Sequence, residues 1–542
     1  MPTGGEALVG ALEELGVEVA FGLPGVHNLA AWRAFPGSRV RLVGVRHEQT
    51  AGYAADGYAR ASGRLGVALT TTGPGAANAV TATGEAYSCH SPILVIATDV
   101  PTTSRLPGVF RGVLHETTDQ ASFFRPVTKA QVRVERVEDL RGAVVRAGRL
   151  AMEHPRRPVY LEIPTDLLSA QAPEPSPDLS APPAESPLSS RTPFPPSFSR
   201  PLVWAGGGAA AADAGPLVEQ LAVRLGAPVL TSYGGRGLLG PDHPNLVPLP
   251  PHAPEAGALW DAADVVVVVG SDLDAMNTQG FRQPRPPWVV TIDLAQPVNL
   301  VPDVHLQVEA VTGLTLLLEA LPERPREPWF TRPDRSAYAG PELELLTAFE
   351  SGLTPETVVV ADMCIAGYWY GAFGRVGGPR GLAYPVGWGT LGFGFPAGLG
   401  AALTGRPAVA LVGDGGFLFA CGDLATAAQE RIPLTTVLVD DGGYGMLAYD
   451  FRKDGLQPVG CDLEPPDFVA LAAAFRVEAR EVTVPELGAA VAQGIASGRP
   501  GLLVVKATLI PPVSSSPRGS RATPRAPAPP VINGTSRGAH TA

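Results

Sequence analysis

A strand, a helix and a second strand follow one another within residues 408–446, and this unit limits the fold more than any other stretch. Residues 408–412 form a short apolar run typical of a buried strand, and residues 434–439 form a second one. Between them, apolar side chains recur at helical spacing until Pro433 ends the pattern. Strands joined in this way run parallel, so their carboxyl ends meet at one edge of a sheet. Open α/β sheets bind their ligands at that edge.

Acidic residues stand at both of these strand ends. Asp414 lies between Gly413 and Gly415, and glycines let a backbone come close to a phosphate. Asp440 and Asp441 follow the second strand. Carboxylate oxygens suit Mg²⁺, which proteins usually bind through one or two carboxylates together with substrate phosphates. The pattern therefore predicts a metal and phosphate site, although an ordinary doubly wound sheet with two acidic turns would also produce it.

Composition narrows the class of protein. A chain of 542 residues is long enough for about three domains. Its net charge of −11 and the lack of a basic cluster in the folded part argue against a nucleic-acid partner. The longest apolar runs, such as residues 265–269, are too short to cross a membrane. The four scattered cysteines form no C-x-x-C motif, and the amino terminus shows no signal-peptide pattern, so we expect a cytoplasmic protein without disulfides or zinc.

Apolar strand patterns alternate with helical patterns along most of the chain, which predicts an α/β fold with three doubly wound parallel-sheet domains. The predicted domains cover residues 1–170, 199–320 and 341–511. A Pro- and Ser-rich linker is expected over residues 171–198, a second linker over residues 321–340, and a disordered tail over residues 512–542.

The segment around Asp414 resembles the diphosphate-binding motif of thiamine diphosphate (ThDP) enzymes: Gly-Asp-Gly, a spacer over residues 416–439, then a polar pair. That pair is usually Asn-Asn, whereas this chain has Asp440-Asp441, which adds negative charge. The resemblance implies that Asp414, Asp441 and the Gly443 carbonyl hold Mg²⁺. It further implies cofactor contacts from Gly413, Gly415, Gly416, Tyr444, Gly445 and Met446. The domain order resembles that of the acetolactate synthase large subunit, with pyrimidine-binding, central and diphosphate-binding domains.

Glu48 stands where a predicted strand gives way to a helix, within the phrase RHEQTAGYAADGYAR. On its own, a glutamate there is often only a favourable charge at a helix start. The phrase, however, closely resembles the glutamate motif of ThDP enzymes. The resemblance implies that Glu48 hydrogen-bonds N1′ of the aminopyrimidine and begins the proton relay that activates the cofactor.

Three further segments resemble cofactor-binding parts of the same family. Residues 387–394 are similar to the segment that bends ThDP, which implies a hydrogen bond to the Gly389 carbonyl and a wedge at Leu391. In isolation, this segment would also suit a glycine-rich helix start. Residues 73–78 resemble a loop that lines the site in this family, which implies roles for Pro74 and Asn78. The resemblance also implies that Gly25 lies in a third turn near the cofactor.

The substrate is less clearly indicated. Residues 24–28, Pro-Gly-Val-His-Asn, depart from the acetolactate synthase pattern and look more like the loop of some 2-oxo acid decarboxylases, including those acting on guanidino-2-oxo acids. Val26 and His27 are therefore candidate substrate-channel residues. Gln120 and Lys129 are further candidates, with packing and solvated charge as the alternatives. No His-His dipeptide occurs, which argues against proton donation of the pyruvate decarboxylase type.

A second cofactor is suggested by Gly206-Gly207-Gly208, which resembles the central-domain loop that holds FAD in acetolactate synthases. Residues 271–274 lack the arginine of the synthase pattern, so one contact that the resemblance implies for FAD is missing. A glycine run alone is weak evidence for nucleotide binding.

We expect an acetolactate synthase-like enzyme that uses ThDP and Mg²⁺ to decarboxylate a pyruvate-type 2-oxo acid and ligate the product to an acceptor. The resemblance implies a homodimer or homotetramer, with each site between two subunits. Two alternatives stay open. One is a non-ligating 2-oxo acid decarboxylase or other ThDP lyase, favoured by residues 24–28; the other is a non-catalytic ThDP-fold binding or regulatory subunit, motivated by Asp440-Asp441.

Overall fold

Three separate parallel sheets form the framework of the computed structural model, which describes residues 1–106, 108–172 and 194–512. All pairings between the named strands are parallel. This confirms the predicted α/β class with three doubly wound sheets. Residues 173–193 of the predicted linker (171–198) and residues 513–542 of the predicted tail (512–542) lie outside the described residues.

The first sheet has the strand order β2-β1-β3-β4-β6-β5. Its strands are β1 (Val19–Gly22), β2 (Arg41–Gly44), β3 (Gly66–Thr70), β4 (Ile93–Asp99), β5 (Ala130–Arg133) and β6 (Val159–Pro164). Its helices are α1 (Gly4–Glu14), α2 (Leu29–Trp32), α3 (Glu48–Ser62), α4 (Pro74–Asn78), α5 (Val80–Ser88), α6 (Leu140–Met152) and α7 (Thr165–Ser169). The central strands β3 and β4 are buried along their whole length, as expected for a sheet covered on both faces.

The middle sheet has five strands in the order β11-β10-β9-β7-β8. They are β7 (Pro201–Ala205), β8 (Val229–Thr231), β9 (Val265–Val269), β10 (Trp288–Ile292) and β11 (Val304–Leu306). The helices are α8 (Gly207–Ala211), α9 (Gly215–Leu225), α10 (Pro254–Ala262) and α11 (Ala310–Glu319). The chain then passes through residues 321–334, which contain no helix or strand. Trp329 fixes this connection to the middle domain, since its indole N–H donates to the Pro201 carbonyl at 2.6 Å.

The third sheet has the order β13-β12-β14-β15-β17-β16, which repeats the strand order of the first. Its strands are β12 (Val358–Ala361), β13 (Leu382–Ala383), β14 (Ala408–Gly413), β15 (Leu434–Asp440), β16 (Glu478–Glu481) and β17 (Gly501–Lys506). Its helices are α12 (Pro341–Glu350), α13 (Ile365–Phe373), α14 (Gly394–Ala402), α15 (Asp414–Phe417), α16 (Leu424–Glu430), α17 (Gly445–Lys453), α18 (Phe468–Ala474) and α19 (Leu487–Ser497). The predicted unit of residues 408–446 therefore forms, and β14 and β15 lie side by side with Gly413 opposite Val439.

The first and third domains meet where α3 crosses α14. A Cβ placed on Gly57 would overlap the carbonyl oxygen of Ala397, and one on Gly400 would overlap that of Ala54. The two helix backbones are therefore in direct contact, which only glycine permits at these positions. One continuous apolar core then runs through both domains.

We expect Gly400→Ala to lower the free energy of unfolding by about 1–3 kcal/mol, because the added methyl group would force α3 and α14 apart. This loss should outweigh the gain of about 1 kcal/mol in helix propensity. The urea midpoint measures the change. Gly240→Ala is the control, since nothing lies within 4 Å of a Cβ there. An unchanged or raised midpoint for Gly400→Ala would contradict this account of the interface.

Among the described residues, no helix is both long enough and apolar enough to cross a membrane. The cytoplasmic location stays a prediction.

Candidate functional site

Two carboxylates meet at the carboxyl edge of the third sheet. Asp414 follows β14 directly and is 1% exposed, while Asp441 follows the last residue of β15. Burial raises the pKa of both groups. The charge of Asp440 adds to the shift of Asp414 while a hydrogen bond with Asp441 opposes it, and the charge of Asp414 adds to the shift of Asp441. The pKa of Asp441 rises to about 7, with a smaller contribution from the charge of Asp440. Such a pair is suited to bind a cation, because a positive ion would offset the negative charge of the two carboxylates.

The backbone closes tightly around this pair. A Cβ on Gly445 would overlap the Asp441 carboxylate, and a Cβ on Gly415 would lie 2.7 Å from the Tyr444 ring and 3.5 Å from the Gly443 oxygen. The Gly443 carbonyl therefore lies beside the stretch that begins with Asp414. The structure thus brings together the three groups for which the sequence predicts metal binding.

The residues present fit a Mg²⁺–diphosphate group. The Oδ2 atom of Asp414 is buried and has no hydrogen-bond partner in the described part of the chain, so an oxygen ligand is available. No group of three His, Cys, Asp or Glu side chains suited to a metal occurs within residues 1–106, 108–172 and 194–512. An ion held here would therefore combine Asp414, Asp441 and the Gly443 carbonyl with diphosphate and water oxygens, as Mg²⁺ usually does.

Sequence reasoning missed Asp362, a third carboxylate at this edge. It follows β12, is 1% exposed, and lies 2.9 Å from the position of a Cβ on Gly416. Burial raises its pKa to about 6, although hydrogen bonds from the backbone N–H groups of residues 392–394 and Met363 lower the pKa. Asp362 thus connects the Gly-rich turn before α14 to the turn that carries Asp414. Its signal was available, because the apolar run over 358–361 ends at an aspartate, as the strand before Asp414 does.

We expect the apparent affinity for Mg²⁺ to rise about tenfold from pH 6 to pH 8, given a pKa of about 7 for Asp441. The group must lose its proton to bind the ion, and its raised pKa keeps that proton bound at pH 6. Calorimetric titration of Mg²⁺ with ThDP at several pH values measures the change and the proton released on binding. An affinity that does not vary with pH would contradict the assignment of Asp441.

The segment 387–394 is held by a buried ion-pair cluster on the first domain. Glu85 is fully buried and accepts hydrogen bonds from the Trp388 N–H at 3.0 Å and the Thr390 hydroxyl at 3.5 Å. Arg60 joins Glu85 to Asp56 at 3.3 and 2.7 Å. Gly389 and Gly392 have φ values of 68° and 76°, which glycine adopts freely. Leu391 is half-buried at the centre of this segment. Glu85 and Arg60 are positioning residues that the sequence alone did not indicate.

Glu48 is the first residue of α3 and is 6% exposed. The amide nitrogen of Asn78 donates to its carboxylate at 2.9 Å, and Pro74 opens the helix that carries Asn78. A Cβ on Gly75 would lie 3.0 Å from Glu48 Oε1, so only glycine leaves that oxygen accessible. The structure therefore assembles the predicted Glu48, Pro74 and Asn78 at one corner of the first domain.

The four candidate channel residues have different environments. Val26 is 66% exposed, and the neighbouring His27 is buried. Gln120 is 2% exposed: its oxygen accepts from the Gly73 N–H, and its nitrogen donates to the Thr98 carbonyl at 2.9 Å and to the Tyr160 hydroxyl at 2.8 Å. These contacts favour the packing alternative for Gln120.

The ammonium group of Lys129 is already hydrogen-bonded within the first domain. Its ammonium group donates to the carbonyls of Leu150 and Glu153 at 2.9 and 2.7 Å, at the carboxyl end of α6. Cations stabilise this end of a helix, so the contacts explain Lys129 structurally.

A cavity of about 610 Å³ lies between the three domains. Its lining includes Gly207 and Gly208, Arg156, Arg380, and Asp293 just after β10. Burial and the charge of Arg380 lower the pKa of Arg156, whose Nε atom is buried without a hydrogen-bond partner among the described residues. The cavity therefore offers both a glycine-rich turn and cationic groups.

Comparisons with known proteins agree for all three domains. Family models described as the N-terminal TPP-binding, central and C-terminal TPP-binding domains of thiamine pyrophosphate enzymes match residues 2–123, 197–321 and 363–505. The chain is 35% identical to the Probable 2-ketoarginine decarboxylase AruI of Pseudomonas aeruginosa, over 88% of this chain and 89% of that protein. It is 29% identical to the Probable acetolactate synthase large subunit of Methanocaldococcus jannaschii, over 96% and 94%. It is 28% identical to the Acetolactate synthase of Mycobacterium bovis, over 87% and 82%.

Proposed function

The chain belongs to the thiamine pyrophosphate enzyme family, as its motifs predicted, and on that premise we propose that it decarboxylates a 2-oxo acid to an aldehyde with ThDP and Mg²⁺. The observation that carries this choice is the similarity to the relative named as a 2-ketoarginine decarboxylase, at higher identity than the synthases named above. The turn over residues 24–28 supports the same reading. Carboligation, which the sequence pattern favoured, becomes the second candidate.

Each predicted group then has a part in the reaction. When bound, ThDP supplies the carbon nucleophile and takes up the electron pair released with CO₂. Asp414, Asp441 and the Gly443 carbonyl would hold Mg²⁺ and through it the diphosphate. Glu48 would hold and return a proton at the aminopyrimidine edge. Its buried carboxylate accepts a hydrogen bond from the Asn78 amide nitrogen, and this contact fixes the orientation of the carboxylate.

The first donor to test is a guanidino-2-oxo acid such as 2-ketoarginine, because the decarboxylase relative is named for it. Purified protein with ThDP and Mg²⁺ is incubated with a panel that also contains pyruvate and branched-chain 2-oxo acids. We expect CO₂ and the corresponding aldehyde, with no product when ThDP is omitted. Acetolactate from pyruvate would instead support the second candidate. Binding of ThDP without turnover across the panel would support a non-catalytic subunit.

We also propose that the cavity of about 610 Å³ holds FAD, supported by its glycine-rich turn and by the cationic Arg156 and Arg380. Absorbance and fluorescence spectra of the purified protein, before and after incubation with FAD, test this. Protein that carries no flavin and takes up none would exclude FAD from the cavity.

A homodimer with shared sites is proposed on the basis of exposed apolar side chains beside both half-sites. Val26, Leu29, Phe110 and Leu114 of the first domain are 42–66% exposed, and Trp388, Phe419 and Leu447 of the third are 51–54% exposed. Contiguous apolar surface usually marks an interface, and these side chains are the ones that a partner subunit would cover. A homotetramer is the alternative, and light scattering distinguishes the two.

Mixing two inactive variants tests whether the site is shared. Glu48→Gln and Asp414→Asn proteins are dissociated, combined in equal amounts and reassociated. If Glu48 and Asp414 of one site come from different subunits, each mixed dimer has one intact site and the mixture regains about a quarter of the wild-type activity. If both come from one chain, mixing restores nothing.

A further inference from the structure

Four carboxylates gather at the carboxyl edge of the third sheet. Asp362 directly follows β12, and Asp414 directly follows β14. Asp440 is the last residue of β15, and Asp441 comes next. These three strands are neighbours in the sheet, and neighbouring strands lie about 5 Å apart. Four negative charges can therefore meet within one short edge.

The described residues supply no cation that pairs with these groups. In the part of the chain that the structure describes, no lysine, arginine or histidine forms an ion pair with any of the four carboxylates. Lys506 lies opposite Asp440 in the sheet, but its ammonium group pairs with Glu481 at 2.9 Å instead. Asp440 accepts only the Gly442 backbone N–H, at 3.3 Å. The edge thus carries charge that the chain itself does not neutralise.

Asp414 faces this cluster with one oxygen unsatisfied. Its side chain is 1% exposed and is in hydrogen-bonding contact with that of Asp441. Its Oδ2 atom is buried and has no partner within residues 1–106, 108–172 and 194–512. A buried polar atom of this kind is costly unless a ligand satisfies it. Because the surroundings are anionic, the ligand that fits is a cation.

The backbone ligand is held by contacts within the chain. The Tyr444 N–H donates to the Cys461 carbonyl at 2.8 Å, and Gly443 pairs with Asp462 as an antiparallel bridge. A Cβ on Gly443 would overlap the Cys461 carbonyl, so the two segments are in direct contact. These contacts fix the Gly443 carbonyl without any help from a cofactor. A preorganised ligand of this kind binds an ion without the cost of ordering a loop.

The two parts of the cofactor meet this edge differently. A diphosphate is an anion, so the four carboxylates repel it until a cation is present. A divalent cation is attracted from the start, and it finds carboxylate and carbonyl oxygens, the ligands that Mg²⁺ and Mn²⁺ prefer. The order of binding therefore follows from the charge of the edge.

We infer that this chain binds its divalent ion before ThDP and independently of it. Asp440 and Asp441 stand where the motif usually has two asparagines, and they supply the additional charge. This inference rests on the proposed function and specifies how its site is loaded. The ion would bind as a hard, oxygen-coordinated cation, and the diphosphate would then add its own oxygens to a site that already holds the metal.

Metal binding to the full chain, in buffer without ThDP or phosphate, tests the order. Mn²⁺ is the probe, because electron paramagnetic resonance distinguishes its free and bound forms, and calorimetry follows Mg²⁺ in parallel. The variant Asp440→Asn/Asp441→Asn restores the asparagine pair. We expect one Mn²⁺ per wild-type chain and an affinity at least about tenfold lower in the variant, which loses two of the four charges. With saturating ThDP the diphosphate supplies anionic oxygens, so the affinities should differ only a few-fold.

The matched control also removes two charges. Asp450→Asn/Asp454→Asn changes two exposed carboxylates in and just after α17 and should keep the wild-type affinity for Mn²⁺. An equal loss in this control would mean that the overall charge of the domain attracts the ion, and would overturn the assignment to the strand-end carboxylates.

Thermal unfolding without ThDP gives a second readout and shows whether each variant is folded. Mn²⁺ should raise the melting temperature of the wild type but hardly that of the asparagine variant. A wild type that binds no metal until ThDP is added, or equal binding by wild type and the asparagine variant, would overturn the loading order alone. A wild type that binds the metal by itself but turns over no 2-oxo acid would overturn the proposed function and leave the loading order intact.

Discussion

Glu48→Gln is expected to lower kcat for 2-oxo acid turnover by about 10²–10⁴-fold, the usual contribution of a positioned acid–base group. Glutamine keeps the size of the side chain and can still accept the hydrogen bond that Asn78 donates at 2.9 Å. It cannot gain and lose a proton. The effect should therefore fall on the rate, while the affinity for ThDP, followed by the fluorescence of the half-exposed Trp388, changes by only a few-fold.

Glu13→Gln is the matched control, because Glu13 forms a surface ion pair with the Arg39 guanidinium at 3.8 Å and accepts the Arg39 backbone N–H at 2.8 Å, a bond that glutamine can keep. It should keep both rate and affinity. Full turnover by Glu48→Gln would show that no proton passes through this residue. A large loss of ThDP affinity with an unchanged rate in saturated enzyme would make Glu48 a binding group only.

The parts of the site that the sequence predicted share one property: each follows from local order along the chain. Asp414 and Asp441 each directly follow a buried strand, and parallel strands bring such positions to one edge. Asp362 follows the same rule, yet no glycine-aspartate-glycine motif marks it. The repeated strand order of the first and third sheets extends the argument, since Glu48 and Asp414 each stand at the start of a helix that follows a strand.

The parts that the sequence did not predict depend on tertiary packing. Glu85 holds the segment 387–394 only because the first and third domains pack together, and no motif in the sequence marks that contact. Tertiary packing also decides the role of Lys129, for which the sequence suggested a position in the substrate channel. A lysine is usually solvated, and only the fold shows that its ammonium group lies against two helix-end carbonyls.

Asp414→Asn and Asp441→Asn are expected to differ strongly, although both remove one charge from the same pair. Asp414→Asn should weaken Mg²⁺-dependent ThDP binding on the order of 100-fold, since losing an anionic ligand here costs about 3 kcal/mol. Asp441→Asn should weaken it only a few-fold. In the wild type, the pKa of Asp441 is about 7, so its carboxyl group is half-protonated near neutrality. In the variant, the asparagine amide oxygen can still bind the ion.

Calorimetric titration of ThDP at fixed Mg²⁺ concentration, repeated from pH 6 to pH 8, separates the two variants. Asp441→Asn should also abolish the rise in affinity with pH, because the proton that competes with Mg²⁺ is gone. Asp450→Asn, on α17, is the control for charge alone. Equal losses in both site variants would mean that Asp441 binds as a full anion. A persistent pH dependence in Asp441→Asn would instead assign the competing proton to Asp414 or Asp362, whose pKa values burial also raises.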